Sequence, residues 1–158
     1  MKQQFIRTIK LDGTVDVTDP CYSKDTWCRT TLDCKPGKYN CYVEKNDEGI
    51  ILKAAIVLNG VEYDSNELEK VDIVIGVDSG LCGFFDNKPD YDYDDGTWYK
   101  VCNWFEICRT CYNGTVLERT YLLADCESFV VSSGYGDGGY ELYVKKEDNQ
   151  AVVLELRF

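Results

Sequence analysis

Tyr39-Asn40-Cys41-Tyr42-Val43-Glu44 and, further on, Val71-Asp72-Ile73-Val74-Ile75-Gly76-Val77 decide the fold class. In the first stretch Tyr39, Cys41 and Val43 fall on one side, with Asn40, Tyr42 and Glu44 on the other. In the second, Val71, Ile73, Ile75 and Val77 alternate with Asp72, Val74 and Gly76. A repeat of two is the side-chain period of a strand with one buried face, and β-branched and aromatic residues suit that pleated surface. Outward from these strands the chain is punctuated by Asn46-Asp47-Glu48-Gly49, Asn59-Gly60 and Asn113-Gly114. Asparagine and glycine tolerate the positive φ of tight hairpins, so the expectation is a meander of short antiparallel strands. Towards the end, Tyr140-Glu141-Leu142-Tyr143-Val144 and Val152-Val153-Leu154-Glu155-Leu156-Arg157-Phe158 flank a polar stretch, 146–150, and read as a closing hairpin.

Helical periodicity is scarce. Trp98, Val101, Cys102 and Phe105 share one helical face after the capping residues Asp94 and Asp95, and short turns are expected over 23–27 and 65–70. No repeat and no Pro-rich or Gly/Ser-rich linker divides the 158 residues. The chain therefore reads as one mainly β domain over 1–158, an antiparallel sandwich or open barrel built from hairpins, with one or two short helices. The aspartate- and tyrosine-rich stretch 86–95 reads as a long surface loop.

Charge narrows the partners. Lys and Arg total 17 against 28 Asp and Glu, a formal net charge of −11. Such a surface repels phosphate backbones and the anionic face of a membrane, so nucleic-acid and membrane binding are not expected. An aromatic content of 13% places the chain among folded rather than disordered sequences. The start, Met1-Lys2-Gln3-Gln4 and Phe5-Ile6-Arg7-Thr8-Ile9, is too polar for a secretory segment, and no run approaches the roughly 20 apolar residues of a spanning helix. A cytoplasmic setting with nine reduced cysteines, mostly small buried hydrophobes, is the expectation. Asn113-Gly114-Thr115 accordingly reads as a turn rather than a glycosylation site.

Several motifs fail on context. Gly134-Tyr135-Gly136-Asp137-Gly138-Gly139 has the letters of a dinucleotide fingerprint, but the alternating residues after it form a strand where the fingerprint requires a helix. Asp90, Asp92 and Asp94 imitate a calcium loop that lacks its glycine and its closing glutamate. Cys102, Cys108 and Cys111 contain one C-x2-C pair, short of a four-ligand zinc set, and no histidine exists to complete it. The lack of histidine also removes Ser-His-Asp and Cys-His catalysis. No cofactor and no metal site is expected.

What remains is three turn clusters at strand ends: Asp19-Pro20-Cys21-Tyr22; Asp78-Ser79-Gly80 with Gly83-Phe84-Phe85-Asp86; and Ser132-Ser133-Gly134-Tyr135-Gly136-Asp137-Gly138. Aspartates that bond their own turn backbones explain such clusters structurally. The ordered set of Val17-Thr18-Asp19-Pro20-Cys21-Tyr22, Pro36-Gly37-Lys38-Tyr39, Val77-Asp78-Ser79-Gly80 with Gly83-Phe84-Phe85-Asp86, and Ser133-Gly134-Tyr135-Gly136-Asp137-Gly138-Gly139-Tyr140 resembles a family of small β domains of bacteria and their phages, over nearly the whole chain. That family has no defined function and brings no catalytic residues. The resemblance implies a compact β fold and convergence of the three clusters. In a phage setting it extends to sequestration of a nucleotide-like immune signal.

The functional expectation is a binding module in which Asp19, Tyr22, Asp78, Ser79, Asp86, Ser133, Tyr135, Asp137 and Tyr140 line a pocket for a small polar ligand. An anionic ligand would need positive charge from the glycine turn's N–H groups or from Lys24, Arg29 or Lys38. Two rivals use the same features. One is a metal-dependent hydrolase built on the aspartates, the other an acidic protein that blocks a basic groove on a protein partner.

Overall fold

The computed structural model describes residues 3–22, 25–87 and 127–158. Its strands are β1 (Gln3–Leu11), β2 (Thr14–Thr18), β3 (Thr30–Asp33), β4 (Gly37–Lys45), β5 (Ile51–Leu58), β6 (Glu69–Val77), β7 (Leu81–Asp86), β8 (Ser128–Ser132), β9 (Gly138–Glu147) and β10 (Gln150–Arg157). They form two antiparallel sheets, six strands in the order β1-β4-β5-β10-β9-β6 and four in the order β3-β2-β7-β8. The architecture is a sandwich, not a closed barrel. Its one helical element among the described residues is a 3₁₀ turn at Ser65–Glu67, inside the expected 65–70 turn. The helix expected at 98–105, the Asn113-Gly114 turn, the thiols Cys102, Cys108 and Cys111 and most of the 86–95 loop lie outside the described residues, as do residues 23 and 24 of the 23–27 turn.

The period-two reading of the sequence is the packing pattern of the core. Tyr39, Cys41 and Val43 of β4 point inward and are fully buried, as do Ile75 and Val77 of β6. They meet Val15, Val17, Cys82, Phe84, Phe129 and Val131 from the smaller sheet. The Phe84 and Phe129 rings stack with centroids 6.4 Å apart. Removing this apolar surface from water is the main force holding the sheets together.

The meander is corrected. Gly60 turns the chain at a φ of 85°, but β5 pairs with β4 and β10, and β6 is delivered to β9. The connection crosses the outer face of the six-stranded sheet because that face is apolar too. Val57, Val152 and Val153 are buried there beneath Val61, Tyr63 and Leu68. A buried carboxylate anchors the crossing: Glu155 accepts from the Tyr63 hydroxyl, from Ser65 Oγ at 2.7 Å and from Arg157 Nε at 2.5 Å. The closing hairpin is as read. Asp148 and Asn149 take φ of 51° and 67°, the paired left-handed residues of a two-residue turn whose twist matches the flanking strands.

Two predictions follow from this packing. Gly83 of β7 lies against Val130 of β8, and a Cβ there would come within 2.8 Å of the Val130 Cα as well as meeting the Phe129 carbonyl. Gly83→Ala therefore forces backbone apart and should cost about 2 kcal/mol, read as a lower urea midpoint at unchanged m-value. The second concerns thiols. Burial pushes the Cys34 thiol up to about 11 and the Cys41 thiol up to about 12 from an ordinary 9.0. The folded state thus holds these protons when the unfolded chain has released them. Their stabilisation is whole below about pH 9 and is lost as pH climbs towards the folded values. The melting temperature should fall between pH 8.5 and pH 10.5, and less steeply in Cys41→Val.

Candidate functional site

Register brings the three turn clusters to one end of the sandwich. In the smaller sheet Thr18 opposes Gly83 and Leu81 opposes Ser132, while in the larger sheet Val77 opposes Gly138. The segment after β2, the turn from β6 to β7 and the turn from β8 to β9 therefore emerge together.

Asp19 organises this end. It is buried, and its carboxylate accepts four hydrogen bonds of 2.7 Å: Cys21 N–H and Ser79 Oγ–H to Oδ1, and the Asp78 and Ser79 amides to Oδ2. A carboxylate with this many donors has no acceptor direction left for a ligand. Tyr22 folds back, its amide donating to the Asp19 carbonyl at 3.1 Å and its hydroxyl to Asp78 Oδ2 at 2.8 Å. Burial, then the Asp78 carboxylate and Cys28, hold the Tyr22 phenol protonated far above its usual range, so at neutral pH it is a donor and no base. Beneath it Gly76 is obligatory, since a Cβ would lie 2.5 Å from Cys28 Sγ and 3.2 Å from the Tyr22 hydroxyl. Arg29 closes the segment, with Nη1 donating to the Tyr22 carbonyl at 3.1 Å and Nη2 paired with buried Asp16 Oδ2 at 3.1 Å.

The third turn joins through backbone, Ser133 N–H donating to the Gly80 carbonyl at 3.0 Å. It is self-locked. Ser133 Oγ donates to the Gly136 carbonyl at 2.8 Å, and the Tyr140 hydroxyl bonds the carbonyls of Gly136 at 2.5 Å and Ser133 at 3.2 Å. The Tyr140 ring meets Phe158 edge-on at 5.1 Å, and Gly134, at a φ of 51°, leaves room for Phe158 Cβ. Burial raises the Tyr140 phenol, and the Asp137 charge acts in the same direction against the Ser133 bond. Two side chains on the turn stay in solvent: Tyr135, 74% exposed, and Asp137.

Asp19, Tyr22, Asp78, Ser79, Ser133, Tyr135, Asp137 and Tyr140 are thus gathered at one end, but only Asp78, Tyr135 and Asp137 present polar or aromatic groups outward. Asp86 is a correction. It sits at the far end of β7, beside Val15, and accepts the Asp12 amide at 3.1 Å, because a six-residue strand separates it from the 78–80 turn. Lys38, which opposes Lys10 next to the Leu11 and Gly37 pair, is at that far end as well. Trp27 was not legible as part of this end. It is 83% exposed beside Cys28, and a single tryptophan in a loop carries no periodic signal.

Among the described residues no group of three or more His, Cys, Asp or Glu side chains is placed to hold a metal. Comparison with protein-family models, curated proteins and solved structures returned no match. Geometry alone therefore carries the functional reading.

The role of Asp19 is testable apart from any ligand. Asp19→Asn replaces one acceptor oxygen with an NH₂ that faces donors, and should destabilise the fold by about 3 kcal/mol. Ser79→Ala removes one of the four bonds and should cost about 1 kcal/mol. Urea unfolding of both variants checks the order.

Proposed function

We propose that this chain is a binding module whose three-turn end holds a small polar ligand bearing hydroxyl or amino groups. One observation supports it. The internal polar groups of the three turns are consumed in fixing their own backbones, while Asp78, Tyr135 and Asp137 face solvent from that fixed frame. Carboxylates accept from hydroxyl and ammonium donors, and a tyrosine ring offers a face for a sugar or a cation. Rigid presentation lowers the ordering cost of binding.

The same geometry gives little help to a nucleotide-like anion. The Arg29 guanidinium is occupied by Asp16 and the Tyr22 carbonyl, Lys38 is at the opposite end, and Lys24 lies outside the described residues. Gly134 and Gly136 spend their amides on the Ser132 and Ser133 carbonyls, so these two donors do not serve an anion. The hydrolase reading loses support in parallel, since Asp19 is saturated and Asp86 is remote.

A thermal-shift panel of an amino sugar, a neutral disaccharide, spermidine, a mononucleotide and Mg²⁺ tests the proposal. A ligand at 100 times its dissociation constant stabilises the fold by about 2.7 kcal/mol. The shift is expected with a sugar or amine and should vanish in Tyr135→Ala and Asp137→Asn, both of which should melt like wild type without ligand. A shift that only Mg²⁺ or the nucleotide produces, or one that both variants retain, rejects it.

A further inference from the structure

β6 is the end strand of the six-stranded sheet. β9 lies on one side, and no strand of the described residues lies on the other. On that open side Gly76 N–H donates to the Cys28 carbonyl at 2.8 Å, a single bond from the passing 25–29 segment. Backbone groups of alternate residues face the same side of an antiparallel strand, so the amide and carbonyl of Val74, two residues earlier, also face the open edge. The Val74 side chain is 54% exposed, and Trp27, next to the Cys28 that caps the edge, is exposed as well.

Sheet edges are usually blunted by lysine, proline, a bulge or a covering element. β6, Glu69-Lys70-Val71-Asp72-Ile73-Val74-Ile75-Gly76-Val77, has no proline and one lysine, whose ammonium is held by Glu141, and its register against β9 shifts between Lys70 and Val74, so the regular part of the edge runs from Val74 to Val77. Glu69 and Asp72 are exposed along the strand and Asp78 follows it. Among the described residues the edge thus combines the outward-facing Val74 backbone, an apolar contact, an exposed indole next to Cys28 and the carboxylates of Glu69 and Asp72, with Lys70 the one cation of the strand.

We propose that this edge receives an extended, lysine- or arginine-bearing segment of a partner protein, which adds to the sheet as a further strand beside Val74. Backbone bonds to Val74 would fix the register, Glu69 and Asp72 would pair with its cations, and Trp27 would offer a face to a cationic side chain. Charge selects this occupant over a second copy of the chain, because edge-to-edge pairing of two copies brings together two molecules that each carry a net charge of −11 and adds no cation beside Glu69 and Asp72 except Lys70, already held by Glu141. The inference uses residues other than Tyr135 and Asp137 and is independent of the small-ligand reading.

The test uses the full chain and two synthetic hexapeptides of equal charge, acetyl-(Val-Arg)₃-amide and the same peptide N-methylated at alternate residues so that its strand-pairing donors are gone. Hydrogen exchange reads the Val74 amide and calorimetry reads affinity. The expected result is fast exchange at Val74 in the free protein, slowed at least about tenfold by the first peptide, with binding at least about tenfold weaker for the methylated one. Val74→Pro, tolerable on an edge strand, should abolish the effect, and Val74→Lys, which keeps the backbone donor, should weaken it. Equal binding of the two peptides, or a Val74 amide already protected in the free protein by self-association or by the chain itself, overturns the proposal.

Discussion

The Asp19 carboxylate is the constraint on which the organised end of the molecule depends. It follows the last residue of β2 in the four-stranded sheet, yet takes three of its four bonds from Asp78 and Ser79, directly after β6 in the six-stranded sheet. One buried charge therefore ties the two layers where the core itself has run out. Burying a carboxylate is costly unless its acceptor directions are filled, and here all are filled by groups that would otherwise be unpaired turn donors. The arrangement solves two problems of desolvation at once and leaves little freedom in the backbone of residues 19–22 and 78–80.

The opposite face of the larger sheet uses the same device for another purpose. Glu155 is buried on an outward face and gathers Tyr63, Ser65 and Arg157, while the Arg157 guanidinium lies 3.5 Å over the Tyr143 ring. Removing one member would strand a buried charge, which is why such clusters fix geometry even when their net contribution to stability is modest. The cluster holds the β5 to β6 connection flat over Val57 and Val153 and so delivers β6 to the edge next to β9.

What was legible in the sequence follows from the range of the signal. Alternation is local, so β4 and β6 could be read with their inward faces, and the polar stretch 146–150 marked a real hairpin. Strand order is not local. Nothing in Asn59-Gly60 says that the next strand will be carried past its neighbour, because the surface that receives the crossing, Val152 and Val153 with the anchoring Glu155, lies more than ninety positions on. The convergence of the clusters that hold Asp19, Asp78 and Ser133 was what the family resemblance implied, and turn chemistry explains the overreach in calling them a pocket: a turn aspartate and a ligand-binding aspartate look alike in sequence, and only the four donors around Asp19 separate them. Asp86 belongs to the same short motif as Asp78, but a strand converts adjacency in sequence into opposite ends in space.

Exposure then sorts the gathered residues into two kinds. Asp19, Ser133 and Tyr140 are spent inward, whereas Tyr135, Asp137, Trp27 and Val74 are left outward on a frame those inward residues make rigid. Scattered exposed apolar residues on a soluble surface need no explanation, but three of the four large ones among the described residues lie on β6 or on the two turns and loops beside its end, with Phe5 of β1 apart. Exposed carboxylates surround them, as at Asp72 and Asp137. The two readings of this end divide its residues between them, Tyr135 and Asp137 facing a small ligand and Val74, Glu69 and Asp72 facing an added strand, and they share only the backbone frame that the buried Asp19 carboxylate holds in place.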